Sequence, residues 1–308
     1  MKWQGREQSS NIEDRRSQGG GGPGGGGFGG GFNPNSFGNG GGIRLPSGRS
    51  GSGLGGLAII VIFVLIALAF GINPLTLLTG EDTSTTSSPF GNSQTLPPQS
   101  ASQDDLSQFV GVVVKDTENF WGKYFSDHGG TYTDPKVVLF TDRTQSGCGV
   151  ADRDSGPFYC PEDGKVYIDL SFYQQLRDQF GAPGDFAQAY VIAHEVGHHV
   201  QDLLGILPTF NERRQSMSQD QANAYSVKVE LQADCFAGMW AKGEQQYLDN
   251  GDVEEAINAA NQIGDDTLTH NTISPRQYTH GTSAQRMQWF KTGFGATDVS
   301  QCDTGIPR

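Results

Sequence analysis

The segment VIAHEVGHHV, residues 191–200, sets His194 and His198 four positions apart with Glu195 between them. On a helix that spacing projects both imidazoles from one face, a turn apart, where they can bind one tetrahedral Zn2+. Glu195 stands one step round the helix. A carboxylate there can take a proton from a zinc-bound water and later pass it to the leaving amine, which is peptide-bond hydrolysis with Glu195 as general base. His199 points away from the face of His194 and His198, so packing or solvent contact is expected of it rather than ligation.

A catalytic zinc keeps three protein bonds and one position for water, so a third donor is needed. ELQADCFAGMWA, residues 230–241, supplies Glu230 and Asp234 on a single helical face. One can bind the metal while the other accepts a hydrogen bond from the far nitrogen of a ligating histidine. Glu230 is assigned to the metal and Asp234 to the supporting role, and the reverse stays open because both carboxylates ligate zinc. The charge that develops on the substrate carbonyl calls for a further donor. His280 and Tyr278, in the loop before the last helix, are the candidates, with His280 ahead. A competing reading has the His-Gly turn beside Thr282 and Ser283 simply capping the helix of Arg286 and Trp289.

The elements that must hold these residues are legible as local patterns. A helix is expected from Asp185, capped by its own carboxylate with Gln188 three residues on, to near Gly205. A second starts at Ser218, with Gln221 completing a capping box and an apolar stripe through Tyr225, Val229, Phe236 and Trp240. An earlier amphipathic helix runs from about Leu106 to Phe125, and Val137–Phe140 and Lys165–Leu170 read as strands. The second of these reads either as an exposed edge to which an extended substrate adds by backbone pairing or as an ordinary structural strand, since its alternation fits both. Residues 105–308 thus read as one α+β domain.

The combination of HEVGHHVQ, ELQADCFAG, GPFYCPEDGKVYIDLSFY and THGTSAQRMQWFKTGF resembles the bacterial neutral zinc metallopeptidase (YpfJ-like) family. The resemblance covers most of the chain. It implies a zincin-like domain with an active-site helix and a small β-sheet, and gluzincin-type chemistry with Glu230 as third ligand. It names no substrate beyond a peptide or protein.

Composition frames the rest. Of the 44 glycines, 15 crowd into residues 19–42, and a stretch of that kind cannot offset its ordering entropy, so residues 1–52 are expected to be a disordered tail. Leu54–Ile72 is an uncharged apolar run close to the ~20 residues that cross a hydrocarbon core, so residues 53–73 are expected to be a signal anchor in a lipid bilayer, followed by a polar linker at 74–104. Lys2, Arg6, Arg15, Arg16, Arg44 and Arg49 precede the run, and no Lys or Arg follows it until Lys115. This distribution predicts an amino terminus in the cytoplasm and a catalytic domain in the periplasm or outside the cell, held at the inner membrane by a single pass. Cys148, Cys160, Cys235 and Cys302 all lie beyond the run and agree with an oxidising compartment. A bridge from Cys148 to Cys160 would close a short loop and leave Cys235 for Cys302, although spacing excludes neither of the other two pairings. A net charge of -13 argues against a nucleic-acid partner. The alternatives to an enzyme are an inactive extracytoplasmic binding or scaffold protein stabilised by zinc, and an interaction protein that works through its tail or span.

Overall fold

The computed structural model describes residues 1–18 and 102–306. A four-stranded sheet is ordered β1 (Ile12–Asp14), β2 (Lys136–Phe140), β6 (Lys165–Asp169) and β5 (Phe158–Cys160). β1, β2 and β6 run parallel, and β5 returns antiparallel to β6. β3 (Arg143–Ser146) and β4 (Gly149–Asp152) form a separate hairpin. Alternate side chains of β2 and β6 serve two different cores. Val137, Leu139, Val166 and Ile168 join the main core with the helices, whereas Val138, Phe140 and Tyr167 pack with Ala151 and Cys160 on the opposite face. Strands buried on both faces read as nearly continuous apolar runs, as β2 does.

The helices are α1 (Gln103–Asp127), α2 (Phe172–Asp178), α3 (Asp185–Leu203), α4 (Ile206–Arg213), α5 (Gln219–Gly243), α6 (Asp252–Gln262), α7 (Asp265–Leu268) and α8 (Ser283–Gly295). α3 lies against the sheet and α5, and α8 crosses α5 at backbone contact. A Cβ at Gly293 of α8 would sit 1.8 Å from the carbonyl oxygen of Cys235, so only glycine permits that crossing. Two disulfides form, Cys148–Cys160 and Cys235–Cys302, which selects one of the three possible pairings. The first ties the β3–β4 hairpin to β5, and the second ties the chain's last turn to α5.

The α+β class stands, and three sequence expectations are corrected. Residues 1–18, expected in a disordered tail, belong to the folded domain: β1 completes the sheet, Trp3 packs edge-on against Phe109, and Arg6 binds the buried Asp116. The gain is the pairing of an otherwise open edge of β2 and the satisfaction of buried acids on α1. Lys165–Leu170 is no exposed edge, because β6 is paired on both sides and β5 holds that edge. Asp185 begins α3 without capping it; the N-cap is Gly184, in extended backbone with no side-chain bond. Ser218 and Gln221 do form the expected capping box on α5. The rest of the expected tail, the run Leu54–Ile72 and most of the linker fall outside the described residues. Among the described residues no helix is long and apolar enough to cross a membrane.

Candidate metal centre

Gly197 lets α3 and α5 approach, since a Cβ there would already lie 3.0 Å from the carbonyl oxygen of Ala233. The approach brings the expected trio together. Nε2 of His194 is 3.2 Å from Oε2 of Glu230, and Nε2 of His198 is 3.4 Å from Oε1 of the same carboxylate. One donor atom from each of the three residues lies within 4.8 Å of the others. Two imidazole nitrogens and one carboxylate oxygen at that spacing form a donor set suited to zinc.

What lies behind the imidazoles fixes how they present themselves. Nδ1 of His194 is 2.9 Å from Oδ1 of Asp234, which is fully buried and also accepts from the hydroxyl of Tyr190 and the guanidinium of Arg286. Burial works against the Asp234 carboxylate, but the charges of Arg286 and His194 outweigh it and hold its pKa down at about 2. A carboxylate has only acceptors, so His194 carries its proton on Nδ1 and offers the Nε2 lone pair forward. His198 is held in the same tautomer by other means. Gln201 donates its amide to the carbonyl of Val229, so its oxygen faces Nδ1 of His198 at 2.8 Å. Asp234 thus lies behind His194, and Glu230 faces both Nε2 atoms.

Glu195 is buried beside this group and accepts the backbone amide of Tyr159, on β5, at 2.9 Å. Burial raises its pKa, with the charges of His194 and His198 pulling the other way. His280 stands outside the trio, and its charge helps to hold the Glu230 pKa down. Its Nδ1 is 3.1 Å from Oδ1 of Asp265, whose other oxygen accepts the amides of Thr279, His280 and Gly281 at 2.7–3.0 Å. Burial opposes protonation of His280, yet the bond to Asp265 and the charge of Glu230 leave its pKa raised. Thr282 meanwhile caps α8 in a box with Gln285. The loop therefore both caps the helix and positions His280.

Tyr278 ends the short helical turn Pro275–Gln277, its backbone amide bonded to the Pro275 carbonyl. His199 points away as expected, buried between the Tyr159 hydroxyl and the Thr133 carbonyl. Sequence reading missed Asp265, Arg286, Gln201, Tyr190 and the Tyr159 amide. A buried arginine in an amphipathic helix leaves no periodic trace, and an acid fifteen residues before His280 reads as an ordinary helix-start carboxylate.

The family model described as "Putative neutral zinc metallopeptidase" matches residues 1–305. The chain belongs to this family. It is 46% identical over 309 residues to "Uncharacterized protein YpfJ" of Escherichia coli, covering 99% of this chain and 98% of that one. It is 40% identical over 216 residues to "Uncharacterized protein Rv2575" of Mycobacterium tuberculosis, covering 65% of this chain and 72% of that one. No solved structure is a significant match. Zinc is the metal that the neutral zinc metallopeptidase family implies, and the cluster of His194, His198 and Glu230 fits it. The match from residue 1 also includes the amino-terminal strand.

Proposed function

We propose that the chain is a membrane-associated zinc peptidase in which His194, His198 and Glu230 hold the metal and Glu195 moves the proton. The reading rests above all on Glu230, whose two oxygens face the Nε2 atoms of two histidines while Glu195 stands beside them on α3. Zinc, when held there, supplies a Lewis acid that polarises the scissile carbonyl and acidifies a water.

The side chains divide the remaining work. Glu195 is buried with a raised pKa, which suits a base that must take a proton from the attacking water and return it to the leaving nitrogen. The Tyr159 amide engages one of its oxygens and so fixes the orientation of the carboxylate. His280, whose pKa is raised by its bond to Asp265, is suited in this reading to share the negative charge that grows on the carbonyl oxygen. An extended substrate is best aligned along β5, the strand whose backbone already reaches Glu195. The reading puts the protein at a bilayer through the apolar run Leu54–Ile72, supported by its length, and outside the cytoplasm, supported by the two disulfides. Zinc content and hydrolysis of an unfolded protein, compared between the wild type and Glu195→Gln, test this function.

A further inference from the structure

The two described parts of the chain, residues 1–18 and 102–306, are joined only through the segment from 19 to 101, which contains the apolar run, yet they fold as one body. The carbonyl of Asn11 accepts the amide of Val137 at 2.9 Å, and the amide of Arg15 donates to Leu139 at 2.7 Å. On the helical side the Ser9 amide donates to the carbonyl of Gly111 at 2.9 Å. Arg6 forks onto the buried Asp116 and lays its guanidinium 3.4 Å from the ring centroid of Tyr247. Ser9 and Asn11 both donate to the buried Glu118. Lys165, on β6, reaches back across the sheet to Glu13 at 3.0 Å.

The basic residues that predicted a cytoplasmic amino terminus are engaged in this same assembly. Arg6 pairs with Asp116, Arg15 with Glu13, and Arg16 with Asp14. With Lys2 facing Asp249 at 3.8 Å, four of the six charges used for orientation are thus matched by acids of the fold. Paired strands lie ~4.8 Å apart, whereas a hydrocarbon core is ~30 Å thick, so a strand cannot complete a sheet from across a bilayer. A single crossing anywhere between residues 18 and 102 would pull β1 off the sheet.

We propose that residues 1–18 are a permanent edge strand of the folded domain and share its compartment. This arrangement replaces the expected one of amino terminus inside and domain outside. It uses no feature of the metal centre and stands apart from the peptidase reading.

The test uses the full chain in intact bacterial cells, with one cysteine added at a time, at the exposed positions Gln4→Cys and Ser126→Cys. Each variant is treated with a membrane-impermeant maleimide before and after permeabilisation. The proposal predicts that the two thiols behave alike, both labelled in intact cells or both labelled only after permeabilisation. Labelling of one in intact cells while the other needs permeabilisation overturns it. Hydrogen exchange on the purified full-length wild type supplies a second measurement independent of the added thiols. The amides of Ser9 and Arg15 should exchange at least ~100-fold more slowly than in an unstructured chain. Exchange at free-chain rates removes the permanent strand whatever the labelling result.

Discussion

Arg286 grips Asp234 with two parallel hydrogen bonds, Nε to Oδ2 and Nη2 to Oδ1, each 2.9 Å long. Both side chains are buried, and the oxygen that meets Nη2 is the one that also holds Nδ1 of His194. The guanidinium therefore keeps an ionised carboxylate behind the His194 imidazole. α8 can carry it there only because Gly293 lets that helix touch α5.

Removing that cation should be costly. Arg286→Met strands the Asp234 carboxylate and is expected to lose about 3–5 kcal/mol of stability in denaturant unfolding. Zinc affinity, measured by competition with a chelator, should fall ~10–100-fold through the loosened His194. Arg286→Lys keeps the charge but not the fork, and should fall between the two.

Asp265 acts on His280 rather than on the metal. Asp265→Asn should leave zinc content unchanged and lower kcat by roughly 10–100-fold. The direction with pH is fixed, because Asp265 helps to raise the His280 pKa. Without that carboxylate, the alkaline limb that follows loss of the His280 proton should move to lower pH in the kcat profile.

The two disulfides should separate stability from activity. Cys235–Cys302 spans 67 residues and its removal as a double alanine variant should cost ~4 kcal/mol, against ~3 kcal/mol for Cys148–Cys160, which spans 12. The shorter bridge, however, anchors β5, which supplies the Tyr159 amide to Glu195. Hydrolysis should therefore fall further in Cys148→Ala/Cys160→Ala than in the Cys235→Ala/Cys302→Ala protein, when both are assayed well below their melting temperatures.

A pH effect is built around Arg6. Burial and the charge of Asp116 raise the Glu244 pKa to about 7, against the pull of Arg6. Burial likewise lifts Asp116 to about 6, with Arg6 again opposing. A carboxyl whose pKa is raised by folding binds more protons in the folded than in the unfolded chain. The stability it contributes is present at low pH and is lost as pH rises through the folded pKa. Glu244→Gln should therefore change the melting temperature little at pH 5. At pH 8 it should raise stability over wild type by on the order of 2 kcal/mol.

What the sequence disclosed follows from the range of the forces involved. His194, Glu195 and His198 share one helix, and Glu230 and Asp234 share another, so spacing within four residues already put each group on one face. The capping box of Ser218 and Gln221 was legible for the same reason. β1 was not, because Ile12–Asp14 is a three-residue strand whose partner lies more than 120 residues away, beyond the glycine-rich run. Strand order escaped as well. The pattern of Lys165–Asp169 identifies a strand but carries no information on whether both its edges are paired. Asp265 and Arg286 matter only through contacts that the packing of α7 and α8 creates.

The central claim is tested most directly by substituting Glu195 with Gln in the full-length protein and measuring zinc stoichiometry and hydrolysis of an unfolded protein on the same samples. The account predicts one zinc per chain in both proteins and a loss of hydrolysis of at least ~100-fold in the variant. Equal hydrolysis by the two proteins, or a wild type that binds no zinc, would contradict it.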